Sequence, residues 1–375
     1  MSGALYVIWP RKLLNPKVSD ECIGGQGNPI DDFNGVCDLA CAYGSRILSE
    51  SFKLCTIIEK EEAETLMNRL RWFRLCAVAI ALLGVSGAEA VVNIQNVGAG
   101  ARSAALGNSY VAIADDADAV FANPAGLGLI SQTQLAYTNV SLFYGGIEGD
   151  DLGQHVVSYV MPLGSKLGLG LGYERIGSEL MSENGAFLSL AYKLGQSLNI
   201  GLNAKYLFWS VGDIPNNDPL SNQSAGNVGV DLGLMWKSPL QGAQFGLMVK
   251  NLNQPNVAYG SVQGDSEAGK LPMDLHVGVA YRLNASSLVS VQYVRRDVSG
   301  DAPDSRVVVG GETSLVEGLM LRAGGSKIFE EDATGDLNAG LGYRWNKLHF
   351  DYGYHIPLDL TETNGAHRFS FAYGF

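Results

Sequence analysis

The chain is poor in charge and has no long apolar run. Charged residues are only 17% of its 375 residues, below the roughly 25% that is usual in soluble domains. Without a run of about 20 apolar residues, no helix is predicted to span a bilayer. Hydrophobic residues, at 46%, are too many for a disordered chain, and the formal charge of -12 argues against nucleic acid as a partner. These absences still permit one membrane class, the β-barrel.

Cysteine is missing from the whole chain after residue 90, which excludes disulfide scaffolds and thiol catalysis from residues 91–375. All five cysteines lie earlier, and four of them fall within residues 1–66. The spacing of those four lacks the paired C-x-x-C motifs that indicate a zinc site. We therefore predict no metal and no cofactor.

Residues 67–90 have the three parts of a secretory signal peptide. A basic stretch begins at Met67, an apolar run extends from Leu75 to Val85, and Ala88-Glu89-Ala90 is a small-x-small cleavage pattern. A buried helix of a soluble domain is the alternative. Because signal peptides begin proteins, residues 1–66 are predicted to be a non-native extension upstream of the true start, and the N-terminal mass of the mature protein tests this.

From about residue 132 the apolar residues recur with a period of two, which predicts β-strands. The opposite positions hold glycine, small residues and scattered polar groups instead of a charged solvent face. An apolar outer face, a polar inner face and aromatic girdles are typical of outer-membrane barrels and not of a soluble sandwich. The alternation continues to the end of the chain, and Phe371, Tyr373 and Phe375 are predicted to form the C-terminal signal read by the outer-membrane barrel assembly machinery.

Fourteen alternating segments are predicted, each near the 9–11 residues that a tilted transmembrane strand needs. They cover residues 132–143, 153–162, 167–176, 185–193, 198–209, 227–236, 243–251, 272–282, 287–297, 305–314, 318–326, 336–345, 348–356 and 366–375. Long and short connections alternate, which favours long extracellular loops, short periplasmic turns and a periplasmic C-terminus. The predicted fold is all-β, a transmembrane antiparallel β-barrel of about 14 strands over residues 132–375, in the outer membrane of a Gram-negative cell and surrounded by its lipid.

Residues 91–131 do not alternate and are rich in small residues. Helix-compatible stretches lie at Ala101–Leu106 and Asp116–Phe121, and Asn123-Pro124-Ala125-Gly126 is predicted to be a turn. A large barrel has a lumen that must be lined, hydrated or plugged. We predict that this segment is a hatch, or plug, in the lumen, and the alternative is a periplasmic tail.

Five residues are predicted to maintain the hatch: Arg102, Asp115, Asp116, Asn123 and Pro124. Its charges are expected to pair with groups that face the lumen. The predicted lumen-facing polar residues are Glu174, Asp231, Arg344, His349 and Asp351.

The hatch segment also resembles a known family. The motifs are Gly98-Ala99-Gly100-Ala101-Arg102, Ala105-Leu106-Gly107, Tyr110-Val111-Ala112, Ala114-Asp115-Asp116-Ala117 and Asn123-Pro124-Ala125-Gly126-Leu127. Over about thirty residues these are similar to the N-terminal hatch of FadL-like outer-membrane transporters, and most closely to the PorV/PorQ branch. The resemblance implies a fourteen-stranded barrel, which agrees with the count of alternating segments.

Two functions follow from this resemblance. FadL relatives move long-chain fatty acids or other hydrophobic molecules across the outer membrane, and PorV relatives bind and shuttle secreted cargo proteins of the type IX secretion system. Binding or transport of a hydrophobic ligand is the first prediction, and the secretion role with type IX partners is the alternative. An open porin with an unplugged lumen is a third interpretation.

Catalytic chemistry is not predicted, and no catalytic residue is assigned. The best constellation is His349, Asp351 and His355 on one face of a strand, with Ser370 on the next strand. A hydrolase would need such a serine, histidine and acid to assemble. We interpret them instead as residues that line a hydrated lumen. No G-x-S-x-G motif is present, and the Gly168-x-Gly170-x-Gly172 repeat is strand alternation with no helix after it.

Overall fold

The computed structural model describes residues 98–142, 152–178, 181–213, 221–258, 269–298, 305–329, 334–358 and 365–375. The predicted extension 1–66 and the predicted signal peptide 67–90 lie outside these residues. In the described helices, no segment is long and apolar enough to cross a membrane.

Fourteen antiparallel strands form one closed barrel, in which every strand pairs with its neighbours in sequence. Strand β1 closes the barrel against β14 in a register that runs from Gln134 opposite Gly374 to Ser141 opposite His367. The strands are β1 (Gln134–Ser141), β2 (Gly153–Leu163), β3 (Leu167–Gly177), β4 (Met181–Leu194), β5 (Leu198–Val211), β6 (Ser224–Lys237), β7 (Ala243–Lys250), β8 (Asp274–Arg282), β9 (Ser287–Arg295), β10 (Ser305–Val316), β11 (Leu319–Ile328), β12 (Gly335–Trp345), β13 (Leu348–Pro357) and β14 (Ala366–Gly374). This confirms the predicted fold class.

The two faces of each strand differ as the period of two requires. Along β12 the residues Leu337, Leu341 and Tyr343 are exposed on the outside, while Asp336 and Asn338 are buried on the inside. Exposed aromatic rings gather on the outer face near the short turns, at Tyr192, Trp236, Tyr343 and Trp345. The outer surface is therefore an apolar band with an aromatic rim, suited to lipid contact.

Short turns join the strands at one end of the barrel, and glycine or asparagine takes the left-handed backbone that these turns need. Gly164 has φ of 70°, Gly195 of 74° and Asn346 of 55°. Residues other than glycine rarely adopt this left-handed backbone conformation, and asparagine is the usual exception. The opposite ends of the strands are called here the loop end.

Residues 98–131 lie inside the barrel and form three short helices, α1 (Ala101–Ala105), α2 (Ala119–Ala122) and the 3₁₀ helix η1 (Pro124–Leu129). The segment is called the plug from here on. The predicted turn after Asn123 is in fact η1, because the Asn123 side chain accepts the amide of Ala125 and Pro124 occupies the first helical position. The predicted helix 116–121 begins later, at Ala119.

Candidate functional site

Arg102 of the plug lies at the centre of a cluster of ion pairs. Its Nη1 contacts Asp115 Oδ1 at 2.6 Å and Asp116 Oδ2 at 3.0 Å. Its Nε and Nη2 donate to both carboxylate oxygens of Glu312 on β10, at 2.9 and 3.0 Å. A two-pronged arginine–carboxylate pair fixes orientation as well as distance, so this contact sets how α1 sits against the barrel wall.

The ion pairs continue along the wall beyond Glu312. Arg322 on β11 donates to Glu312 Oε2 and to Asp351 Oδ1 of β13, each at 2.6 Å. We call this series of ion pairs the Arg102 network. It consists of Asp115, Asp116, Arg102, Glu312, Arg322 and Asp351. Its members alternate in charge and Arg322 is only 3% exposed, so each charge is compensated by a neighbour where water is scarce.

Polar side chains of the barrel also hold the plug by its backbone. Gln292 on β9 accepts the amides of Tyr110 and Val111, at 3.0 and 2.9 Å. Asn203 on β5 donates to the carbonyl of Val120 at 2.9 Å, and Ser370 on β14 accepts the amide of Ala101 at 2.9 Å. These bonds satisfy backbone groups that short helices leave without partners.

Glycines on the inner face let the plug backbone touch the wall. A Cβ placed on Gly201 of β5 would lie 2.2 Å from the amide nitrogen of Ala125, and one on Gly246 of β7 would lie 2.1 Å from the carbonyl oxygen of Val111. The glycines of the inner face are therefore contact points for the plug, and the lumen at this level is packed. Other glycines whose added Cβ would meet the plug this closely are Gly168, Gly170, Gly172, Gly233, Gly310, Gly324, Gly340 and Gly353.

A cavity remains between the plug and the loop end of the barrel, on the side of β3 to β10. Its empty volume is ≈ 920 Å³ including the part open to solvent. We call it the outer cavity. Its ionisable lining residues are Asp118, Glu174, Lys205, Asp231, Lys250, His276, Arg296 and Arg306, with Tyr110 beside them. The lining therefore combines charged groups with apolar side chains, among them Phe121 and Phe187.

One buried ion pair belongs to the wall alone. Lys205 Nζ on β5 contacts Asp231 Oδ1 on β6 at 2.5 Å, and both side chains are 1% exposed. Asp231 also accepts the amide of Asn251 at 2.8 Å and the side-chain amide of Asn203 at 3.2 Å. The pair is well satisfied, which is the condition for burying two charges.

Asp118 lies on the floor of the outer cavity, in the plug. Burial first, and then the carboxylates of Asp116 and Asp351, raise the pKa of Asp118 well above its ordinary value, while Arg102 and a hydrogen bond from Ser103 oppose the rise. The protonated form of this carboxyl group is therefore favoured in the folded plug.

The predicted hatch residues come together in two places. Arg102, Asp115 and Asp116 meet in the Arg102 network, while Asn123 and Pro124 start η1. Asn123 is fully buried and also donates to the carbonyls of Val111 and, on β6, Leu234, at 2.8 and 3.2 Å. Their importance for sealing the barrel stays a prediction.

The predicted lumen-facing residues lie in different parts of the barrel. Asp351 joins the Arg102 network, whereas Glu174 and Asp231 line the outer cavity instead of pairing with Arg102. Arg344 is exposed at the short-turn end of β12, and His349 is half-buried near the same end of β13. Arg102 of the plug therefore pairs with Glu312, which was not predicted, and is linked to Asp351 only through Arg322.

The candidate hydrolase residues do not form a relay. Asp351 and Ser370 lie opposite each other on β13 and β14, but Asp351 is bound to Arg322, and Ser370 is bound to Ala101 and, at 2.6 Å, to Thr138. His355 Nδ1 contacts Asn338 at 2.9 Å. In the described residues no hydrogen bond joins His349, Asp351, His355 and Ser370 to one another.

Sequence reasoning missed Glu312, Arg322, Lys205 and Lys250. All four lie on the inward positions of predicted strands, so the same alternation that identified Glu174 and Asp231 marks them as lumen-facing. The alternation places each of the four on the lumen side, but it does not indicate which charges pair with one another or with Arg102.

A sequence model of one family, described as "Type IX secretion system membrane protein PorP/SprF", matches residues 118–373. No curated protein matches the chain. Among solved structures, the CymD monoaromatic hydrocarbon channel is similar at a TM-score of 0.55 and 15% identity, covering 74% of this chain and 98% of that chain. The P. putida toluene transporter TodX is similar at a TM-score of 0.57 and 13% identity, covering 74% and 99%. At these identities the likeness is one of fold.

Proposed function

Because the chain belongs to the PorP/SprF family of type IX secretion system membrane proteins, we propose that it is a plugged outer-membrane barrel that binds secretion partners. The observation that carries the proposal is the packed plug, which is held by close backbone contact with wall glycines around the lumen and by the Arg102 network on one side. A barrel filled in this way offers its surfaces to partners instead of its lumen to solutes. Binding and shuttling of cargo proteins, as the resemblance to the PorV/PorQ branch implies, is the finer form of this proposal.

The membrane placement belongs to the same proposal. The short turns face the periplasm, the loop end faces the outside, and the C-terminus is periplasmic, with Phe371, Tyr373 and Phe375 available to the assembly machinery. The order of short and long connections supports this orientation. Residues 67–90 act as the signal peptide that brings the chain to the outer membrane.

Transport of hydrophobic molecules is the second candidate. One apolar feature favours it, since Phe121 of the plug and Phe187 of β4 meet edge to face with ring centroids 5.0 Å apart beside the outer cavity. A ligand leaving water for such a surface gains about 0.8 kcal/mol per buried CH₂ group. Against it, a hydrocarbon in this cavity would lie beside Glu174, Lys250 and Arg306 and would replace their water without replacing its hydrogen bonds.

Affinity purification from native membranes tests the two candidates. The proposal predicts that the tagged chain retains secreted proteins sharing a C-terminal domain, identified by mass spectrometry, and no excess of acyl chains over an unrelated barrel of similar size. Bound long-chain acyl groups without protein partners would contradict it and favour transport. An Arg102→Ala variant is the matched control, because loosening the plug should leave partners that bind outer surfaces in place.

A further inference from the structure

Among the described residues, three charged side chains that line the outer cavity have no hydrogen bond or ion pair: Glu174, Lys250 and Arg306. Glu174 is 3% exposed and Lys250 is half-buried, and the two carry opposite charges. Both line the cavity. Buried charged groups are normally paired and hydrogen-bonded. An unpaired carboxylate and an unpaired ammonium that face one cavity therefore indicate a binding site for a ligand that carries both charges.

The remaining charges of the outer cavity do not fill this role. Lys205 and Asp231 neutralise each other within the wall. No ion pair joins Glu174 and Lys250 in the described residues, so their charged atoms lie more than 4.0 Å apart. Arg306 also has no partner, but it lies on β10, across the barrel from Glu174 on β3. Arg296 follows β9, His276 is bonded to Gln292 at 3.2 Å, and Asp118 lies below in the plug.

An apolar surface adjoins the carboxylate. A Cβ on Gly185 would lie 2.7 Å from the ring of Phe187 and 3.2 Å from Glu174 Oε1, which places the ring and the carboxylate next to each other. Phe121 packs on Phe187 and lines the same cavity. A ligand with its ammonium at Glu174 therefore finds aromatic surface close to that group.

We propose that the outer cavity binds a small zwitterion of amino-acid type with an apolar side chain. The ammonium group lies at Glu174, the carboxylate lies at Lys250, and the side chain lies against Phe121 and Phe187. Such a ligand bridges two charges that the protein leaves apart and replaces the water that each would otherwise require. This proposal does not depend on the proposed secretion role.

Titration calorimetry on the full chain in detergent tests the site, with L-phenylalanine as the probe. Phenylalaninamide lacks the negative charge, N-acetylphenylalanine lacks the positive charge, and toluene has the apolar part alone. We expect phenylalanine to bind about tenfold or more tightly than each of the three, since a hydrogen bond to a charged group contributes about 1.5–3 kcal/mol. Equal affinity for phenylalanine and a singly charged analogue, or tighter binding of toluene, overturns the proposal without any mutation.

Two variants then assign the charges. Glu174→Gln should weaken the binding of phenylalanine and phenylalaninamide about tenfold and leave the binding of N-acetylphenylalanine unchanged. Lys250→Met should weaken the binding of phenylalanine and N-acetylphenylalanine about tenfold and leave the binding of phenylalaninamide unchanged. Glu317→Gln and Lys237→Met, both exposed near the short turns, are the matched controls. Unchanged affinities in Glu174→Gln and Lys250→Met contradict the assignment. Tighter binding of O-phosphoethanolamine than of phenylalanine would indicate a lipid headgroup and also overturn it.

Discussion

The two sides of the lumen differ in how they hold the plug. On the side of β10, β11 and β13, the Arg102 network joins plug and wall through charges. Glycines bring the plug against the wall on both sides, at Gly201 and Gly246 on β5 and β7 and at Gly310 and Gly353 on β10 and β13, but the ion pair between plug and wall in the described residues lies only on the β10 side. Close packing is short-ranged and fixes position, whereas paired charges can separate once water or a partner replaces each contact. The comparison teaches that the plug is packed against the wall on both sides and that charges supplement the packing on one of them.

The buried ion pairs also differ in which parts of the protein they connect. Every pair of the Arg102 network depends on the plug or on a residue that touches it, while Lys205 and Asp231 form a pair within the wall. Stability of the barrel and sealing of its lumen should therefore respond to different substitutions.

The largest expected effect is on stability, from Lys205→Met. The substitution leaves the Asp231 carboxylate buried without its cation, and breaking such a pair typically costs about 3–5 kcal/mol. Thermal unfolding in detergent should show a clearly lower Tm, with little change in solute leak. The double variant Lys205→Met/Asp231→Leu should recover much of the loss, and a double variant as unstable as the single one would show that charge is not the cause.

Arg102→Ala should lower stability less than Lys205→Met does, but it should increase leakage through the lumen more. Asp115 and Asp116 lose their cation, while Glu312 keeps Arg322, so the wall stays compensated while the plug loses its ion pair with it. Liposome swelling should show faster entry of small polar solutes than the wild-type protein does. Leak rates equal to the wild type would refute the sealing role of Arg102.

Gly201→Ala tests the close packing. The new Cβ would stand 2.2 Å from the amide nitrogen of Ala125, so η1 must shift away from β5. Gly311→Ala is the matched control, since its Cβ meets nothing nearer than 3.9 Å. We expect faster proteolysis of the plug in Gly201→Ala only, and equal rates in the two variants would count against close packing.

The smallest effect is expected from Asp118→Asn. Since the folded plug raises the pKa of Asp118, the stability that this group contributes is present at low pH and is lost as pH rises through the folded-state pKa. Asparagine resembles the protonated form, so the variant should have a higher Tm than the wild type at pH 8 and an equal one near pH 4. Asp213→Asn, at an exposed site, is the control. A lower Tm at pH 8 would reverse the sign and contradict the account.

The period of two predicted the fold well because one face of each strand meets lipid and the other meets the plug. Fourteen strands were expected and found, and the largest shift of a boundary is at β4, which begins at Met181 instead of residue 185. The small residues of 91–131 indicated a plug, and in the structure residues 98–131 lie inside the barrel with their backbone against glycines of the inner wall. Local pattern was sufficient for these features.

The partners of Arg102 were harder to predict. Glu312 and Arg322 lie directly opposite each other on β10 and β11, but the register shifts by one residue between Ser314 and Val316. Counting back from the turn would therefore misplace them, since one residue of slip exchanges the two faces of a strand. The contact of Arg102 with Glu312 joins residues 210 positions apart, and no local pattern encodes it.

Conductance of the wild-type protein in planar lipid bilayers tests the central claim most directly. A barrel sealed by the plug should show no steady open channel, and Arg102→Ala under the same conditions should show channel events. A wild-type protein that conducts steadily, at the level of the variant, would contradict the account.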